Sequence, residues 1–367
     1  MREKRGRTGL GGWGTDGDIP VGMGVGGRCF MQESQGISVF SFLKGRPKNG
    51  LDGAGGVWED GGSRGDNMDL NVEIERLKKE RGAVILAHNY TRDEVQDIAD
   101  FVGDSLELSR KAAEGGAKVI VFCGVRFMAE TAKILSPDAV VLHPAPDAGC
   151  PMADMADAAG VKAWREKHPG ATVVAYVNTT ADTKTAVDIC CTSGNALKLV
   201  AGLPEGEVLF VPDANLGSYV AAQTGREIKL WPGCCPTHNR IRPEQVRAAK
   251  EAHPGAEVLV HPECLPAVVA EADAALSTGG MLKRARESEK KEFVMVTECG
   301  ILHRLRKENP DKKFWTVEPE PVCPNMKKIT LENVYFALKD MEPRVELDAE
   351  TMAKARAPID KMLAVKA

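Results

Sequence analysis

The sequence has no run of about eighteen apolar residues, so nothing in it reads as a transmembrane helix. Lysine and arginine open the chain, but no apolar stretch follows them, which argues against a secretory signal peptide. The net charge is only −4 with 27% charged residues, so neither nucleic acid nor an anionic membrane is indicated as a partner. No C-x2-C pair occurs among the ten cysteines, and without a sign of secretion a disulfide framework is not expected either. What remains is a chain of 367 residues, long enough for two or three ordinary domains or one large one. Its thiols read as reduced groups available for ligation or catalysis, and the expected compartment is the cytoplasm.

Residues 1–67 differ from all that follows. "GLGGWGTDGD", "VGMGVGGR" and "DGAGGVWEDGGSRGD" are rich in glycine and carry no apolar periodicity. Such a segment buries too little surface to offset its ordering entropy and is expected to be a disordered leader. A small glycine-rich module, or a reading frame extended upstream of a natural start at Met68, are the alternatives. "MDLNVEIERLKKERG" predicts an amphipathic helix with Val72, Ile74 and Leu77 apolar, ending at Gly82.

From Gly82 onward the pattern is α/β. The runs "AVILAH", "AKVIVFCG", "AVVLHP", "ATVVAYVN", "EVLFVP", "AEVLVHP" and "EFVMVTE" read as buried parallel strands. Helical patterns lie between them, for instance over 129–135, 196–203 and 243–252, as β-α-β units require. The pattern also repeats. His88, Tyr176 and His261 each follow a strand, 88 and 85 positions apart; Ser105, Ser193 and Ser277 each lie in a small turn opening a helix, 88 and 84 apart. Cys-Pro closes each copy, at Cys150, Cys235 and Cys323, 85 and 88 apart. The expected architecture is three αβα sandwich domains with small parallel sheets, related by a pseudo-threefold axis. The boundaries expected within 68–367 are 83–150 together with 324–367, then 151–237, then 238–323.

Ligands of open parallel sheets bind beyond the carboxyl ends of the strands, and three such units would bring three sets of strand ends to one place. One cysteine from each could then meet at a single centre. A proline after a ligating cysteine is familiar from iron–sulfur sites, and three thiolates on a cubane would leave one iron open to substrate as a Lewis acid. Structural thiols at domain junctions and a zinc site remain open on spacing alone. Cys123 reads as a small buried hydrophobe, Cys190 and Cys191 as adjacent and unsuited to one small centre, and Cys264 and Cys299 as out of phase. Cys234 neighbours Cys235 but lacks phase and proline, and Cys29 falls in the leader. The serines and threonine of "GDS", "TSG" and "STG" read equally well as helix N-caps. His143, His168, His253 and His303 read as loop histidines, and Glu130 with Lys133 as an i,i+3 pair on a helix.

Together "LAHNY", "QDIADFVGDSLELS", "FMAETAK", "GCPMADM", "YVNTTADTK", "CTSGNA", "PDANLG", "HPEC", "STGGM" and "CPNMKKITLENV" resemble the quinolinate synthase family from about Met68 to the end; residues 1–67 have no counterpart in it. The resemblance implies a [4Fe–4S] cluster, one per chain, at the central junction of the three domains, held by Cys150, Cys235 and Cys323. It implies condensation of iminoaspartate with dihydroxyacetone phosphate to quinolinate, the pyridine precursor of NAD, with loss of phosphate and two waters. Tyr90 would carry protons and His88 orient substrate. Glu263 would be a general base beside the imidazole of His261. Ser105, Tyr176, Asn178, Ser193 and His238 would line the substrate cavity, and Ser277 and Thr278 would hold a phosphate or carboxylate. A transient contact with the enzyme that makes iminoaspartate is also expected. A hydro-lyase working on another hydroxy acid, or a redox sensor with a labile cluster, are the rival readings. The tyrosines, histidines and Glu263 around the centre favour catalysis.

Overall fold

The computed structural model describes residues 69–365. The expected leader over 1–67, Met68 and Cys29 lie outside the described residues. The first described element is helix Leu70–Arg81, capped by the Asp69 carboxylate and ended by Gly82. Gly82 takes φ 57°, and its N–H bonds back to the carbonyls of Lys78 and Lys79. A left-handed residue there favours glycine, because a Cβ would crowd the backbone.

Among the described residues twelve strands follow. They are β1 (Ala83–His88), β2 (Phe101–Gly103), β3 (Val119–Cys123), β4 (Val140–Leu142), β5 (Thr172–Tyr176), β6 (Ile189–Cys191), β7 (Val208–Val211), β8 (Lys229–Leu230), β9 (Glu257–Val260), β10 (Ala274–Ala275), β11 (Glu292–Val296) and β12 (Lys313–Thr316). They form three parallel four-stranded sheets, ordered β2-β1-β3-β4, β6-β5-β7-β8 and β10-β9-β11-β12. Helices flank each sheet, so the α/β class and the three αβα layers are as the sequence predicts.

The registers repeat as well as the order. Leu86 pairs with Phe101, Val174 with Ile189 and Leu259 with Ala274, fifteen positions apart each time. Ala83 pairs with Val119, Thr172 with Val208 and Glu257 with Phe293, thirty-six apart each time. One aspartate per sheet reinforces this. Asp100, Asp188 and Asp273 accept the N–H of Ile85, Val173 and Val258 at 2.8, 2.8 and 2.7 Å. The same aspartates return their own N–H to the carbonyls of those three residues. The inner strands of every sheet are buried on both faces, which is why they read as unbroken apolar runs.

Helix Leu331–Asp340 packs with helix Leu70–Arg81 on the first sheet, sharing a core of Ile74, Leu77, Val334 and Leu338. The last helix, Ala349–Ala364, packs against helix Arg126–Leu135 of the first unit and β6 of the second sheet. Arg356 donates to the carbonyls of Ile134 and Leu135, and Lys361 to that of Asp188. Glu130 departs from expectation. It pairs with Arg126 at 3.1 Å, not with Lys133, whose ammonium binds the carbonyls of Pro137 and Ala139. The second Glu130 oxygen accepts the N–H of Ala181 at 2.9 Å, so this buried carboxylate ties the first unit to the second.

Candidate active site

The carboxyl ends of the strands carry the polar residues. His88 and Tyr176 are the last residues of β1 and β5, His261 follows β9, and Thr297 follows β11. All four side chains are buried. The loops after β1 and β9 share one local device. Tyr90 N–H donates to His88 Nδ1 at 3.2 Å, and Glu263 N–H donates to His261 Nδ1 at 3.3 Å. An Nδ1 that accepts leaves Nε2–H as the donor, so both rings are neutral with Nε2–H available to a partner. Burial pushes both imidazoles down to about 3, against the pull of the Glu263 charge.

A continuous line of hydrogen bonds crosses the centre. Tyr90 Oη meets Thr297 Oγ1 at 2.6 Å, Thr297 Oγ1 meets His238 Nε2 at 2.8 Å, and His238 Nδ1 meets Glu263 Oε2 at 2.6 Å. The Tyr176 hydroxyl also bonds Glu263. Burial works to raise the Glu263 carboxyl, but His238 bonded at 2.6 Å, together with His261 and the Tyr176 hydroxyl, outweighs it and holds the group below the usual carboxylate range. Burial raises both phenols, Tyr90 and Tyr176, so they stay protonated donors. His261 Nε2 reaches Ser193 Oγ at 3.2 Å. Asn178 Oδ1 is buried without a hydrogen-bond partner.

The small turns meet at the same centre. Asp104, beside Ser105, accepts the Gly279 N–H at 3.2 Å and so binds the first turn to the "STGG" turn. A Cβ on Gly194 would stand 3.3 Å from Ser277 Oγ, which puts the Ser193 turn against the third. The expected capping holds for Ser277 alone, which accepts the Gly280 N–H at 3.1 Å. Asp104 caps the first helix through a capping box with Glu107, and Asn195 stands at the cap position of the second. The hydroxyls of Ser105 and Ser193 therefore have no capping duty.

Each Cys-Pro opens a helical turn. The N–H groups of Asp154, Asn239 and Lys327 bond the carbonyls of Cys150, Cys235 and Cys323, four positions back in each case. Proline suits the first position of such a turn because its missing N–H has no partner there anyway. Every loop is also tied at its base by one backbone bond in the same phase. Arg126 N–H binds Ala148 O, Ala214 N–H binds Gly233 O, and Cys299 N–H binds Pro321 O, each carbonyl two residues before the cysteine. Two buried carboxylates add to this clamp. Asp213 accepts the Cys235 N–H at 3.3 Å, and Glu298 accepts the Cys323 N–H at 3.1 Å. They occupy equivalent places after β7 and β11, and Lys327 pairs with Glu298 at 3.0 Å. The first unit has Val125 at this place.

The donor set suits an iron–sulfur cluster. The three thiols are half-buried, and N–H groups of Met152 and Ala153, of His238, and of Asn325 and Met326 point at their sulfurs. Burial raises all three thiols, Cys150 to about 12, and a charge on Cys323 further raises Cys150, as one on Cys150 does Cys235. Thiols that resist ionisation unaided and act on one another electrostatically suit a metal centre, which takes up their charge. None of the nine described cysteines is in a disulfide. Cys123, Cys190, Cys191 and Cys264 are buried within or beside the strands. Cys234 is buried with its N–H on Met155 Sδ. The four remaining histidines have structural partners: His143 binds Gly124 O, His168 binds Glu207, His253 stacks on Trp315, and His303 binds Asp97.

Thr297, Glu298, Asp213 and Lys327 belong to this centre and are missing from the sequence-based set. Asp213 and Glu298 stand 85 positions apart, the same interval as Tyr176 and His261, and that interval could have found them. Thr297 had no such signal, since Gly124 and Pro212 hold its place in the other two units.

Residues 72–364 match the family model described as "Quinolinate synthetase A protein". The chain is 53% identical over 296 residues to the quinolinate synthase of Geobacter metallireducens, covering 81% of this chain and 97% of that protein. It is equally 53% identical over 296 residues to that of Dehalococcoides mccartyi, strain CBDB1, with 81% and 98% covered. The quinolinate synthase of Thermodesulfovibrio yellowstonii is 51% identical over 292 residues, with 79% and 96% covered. A family match of this length, with relatives at half identity along nearly their whole chains, means that the chain belongs to the quinolinate synthetase A family.

Proposed function

We propose that the strand-end centre built around Glu263 condenses iminoaspartate with dihydroxyacetone phosphate to quinolinate, releasing phosphate and two waters. Family membership makes the chain an enzyme of quinolinate formation in NAD biosynthesis. The observation that carries the site is the Tyr90–Thr297–His238–Glu263 line, which joins a buried carboxylate to a buried phenol across units. Proton shifts and two dehydrations need a base and acids within reach of one substrate. Glu263, held as a carboxylate, would take protons from carbon. Tyr90 and Tyr176, held as phenols, would return them to departing hydroxyls. The Nε2–H groups of His88 and His261, with the Ser105 and Ser193 hydroxyls, would fix substrate carboxylate and hydroxyl groups. Asn178 Oδ1 would accept from a substrate N–H or O–H, and Ser277 and Thr278 would hold the phosphate or a carboxylate. Holding both substrates in one geometry supplies much of the rate for ring closure.

The donor set favours Cys150, Cys235 and Cys323 as ligands of a [4Fe–4S] cluster, one per chain, which would supply an iron without a protein ligand as a Lewis acid. A division into 83–150 with 324–367, 151–237 and 238–323 belongs to the same proposal, as do a cytoplasmic setting and a brief hand-over of iminoaspartate from the enzyme that makes it. Among the described residues no helix is long and apolar enough to cross a membrane. The test is anaerobic purification with iron and sulfide counted, followed by a quinolinate assay from the two substrates. Iron near four per chain and product formation are expected, with Glu263→Gln keeping its iron but losing at least about a hundredfold in rate. A colourless chain that stays inactive after reconstitution would sink the proposal.

A further inference from the structure

Cys235, His238 and Glu263 bring one sulfur, one imidazole nitrogen and one carboxylate oxygen within 4.8 Å of one another. His238 Nδ1 lies 3.2 Å from Cys235 Sγ and 2.6 Å from Glu263 Oε2. Cysteine, histidine and glutamate are all zinc ligands, and three protein ligands leave a fourth position for water. With bonds of about 2.0 Å to N and O and about 2.3 Å to S, a tetrahedral ion holds its donors roughly 3.3–3.5 Å apart. The sulfur stands a few tenths of an ångström inside that spacing from Nδ1, the carboxylate has to retreat from Nδ1 by less than 1 Å, and sulfur and carboxylate oxygen lie within 4.8 Å of each other.

The surroundings are those of a ligand set as well. A metal-bound imidazole is oriented by a partner on its other nitrogen, and His238 Nε2 already meets Thr297 Oγ1 at 2.8 Å. Glu263 has a second partner in the Tyr176 hydroxyl. His238 and Glu263 are almost wholly buried, whereas Cys235 is half-buried.

We propose that the cluster-free chain binds one divalent transition-metal ion, zinc above all, on Cys235, His238 and Glu263, and that this ion blocks cluster assembly. Binding replaces the Cys235 S–H bond by a metal–thiolate bond and releases that proton to solvent. His238 takes the tautomer with Nε2–H donating to Thr297, so Nδ1 is free for the ion. Zinc binds such mixed donors more tightly than ferrous iron does, so iron alone would not displace it. The site itself rests on the observed geometry; the blocking rests on the reading of Cys235 as a cluster ligand.

Cobalt(II) reports such a site through a thiolate-to-metal charge-transfer band and visible tetrahedral bands. The full-length chain, stripped of iron under reducing anaerobic conditions, is titrated with Co2+ and then Zn2+. We expect one Co2+ per chain bound through one thiolate and displaced by Zn2+. Cys235→Ser abolishes the charge-transfer band, and His238→Ala and Glu263→Gln each weaken binding about tenfold or more. Cys150→Ala and Cys323→Ala leave the band unchanged, which also shows that these chains fold. A band lost in either of those two variants, or indifferent to His238→Ala and Glu263→Gln, overturns the site. Pre-loading with Zn2+ is then followed by reconstitution with iron and sulfide, and cluster absorbance should fall severalfold. A normal yield with the ion still bound overturns the blocking, and with it Cys235 as a cluster ligand, while the ion's site stands.

Discussion

His88 and His261 show how one local bond fixes a residue's chemistry. Each Nδ1 accepts a backbone N–H two positions on, and burial holds each ring neutral down to about 3. Unfolded, the same rings take a proton near 6.5. Between these values the unfolded chain binds more protons than the folded one, so stability falls as pH falls from about 6.5 towards 3. Each ring adds up to about 1.4 kcal/mol per pH unit in that window. Denaturation midpoints of the cluster-free chain between pH 7 and 4 should show this slope. His88→Gln and His261→Gln should each flatten it, since glutamine offers an amide nitrogen near Nε2 but no titration. Slopes equal to that of the unsubstituted chain would mean the rings are protonated in the fold. The two histidines were legible in the sequence because repeats of polar residues at strand ends are informative in parallel sheets. Their tautomer was not, since it depends on a backbone N–H that only the folded loop presents.

At the level of elements, the sequence announces seven of the twelve strands, among them the two central strands of each sheet. Those strands lie between neighbours and are buried on both faces, so their apolar runs are unbroken. The other five are β2, β6, β8, β10 and β12, all on sheet edges and two to four residues long. β8 is exposed along its length, and β10 is only Ala274–Ala275. Short edges need no apolar signature, and shortness protects them from pairing with other chains. What holds such an edge in register is the aspartate before it. Asp273 exchanges two hydrogen bonds with Val258, accepting one N–H at 2.7 Å and donating its own to the carbonyl. Asp273→Ala removes the acceptor and leaves a buried strand N–H without a partner, a loss of about 1–3 kcal/mol. Asp273→Asn keeps an acceptor oxygen and should cost less than half of that. Urea midpoints of the two variants check this, and equal losses would show that charge, not the bond, is what matters at this position.

Over the whole molecule, the repeat becomes a way to choose among thiols. Two cysteines could have represented the first unit, and Cys123, at the end of β3, is the rival to Cys150. The backbone favours Cys150. Arg126–Ala148, Ala214–Gly233 and Cys299–Pro321 are one bond repeated three times, and it sets Cys150, Cys235 and Cys323 at equivalent places beyond the strand ends. Cys123 is fully buried in the sheet, and burial pushes its thiol far above the usual range. Cys150 is raised too, so the difference lies in access: Cys150 is half-buried in a loop, and a sulfur shut inside a sheet is a poor ligand. Cys150→Ala, Cys235→Ala and Cys323→Ala should therefore each lose cluster iron and visible absorption when purified without oxygen. Cys123→Ala should retain both, at a small cost in stability from the cavity it leaves. Glu298→Ala and Asp213→Ala extend the same test. They free the N–H of Cys323 and Cys235 while leaving every sulfur in place, and should make the cluster easier to strip with chelator, whereas Glu298→Gln and Asp213→Asn restore the acceptor. If Cys123→Ala lost its iron and Cys150→Ala kept it, the three equivalent loops would be a matter of folding alone, and the centre would have to be sought closer to the sheet.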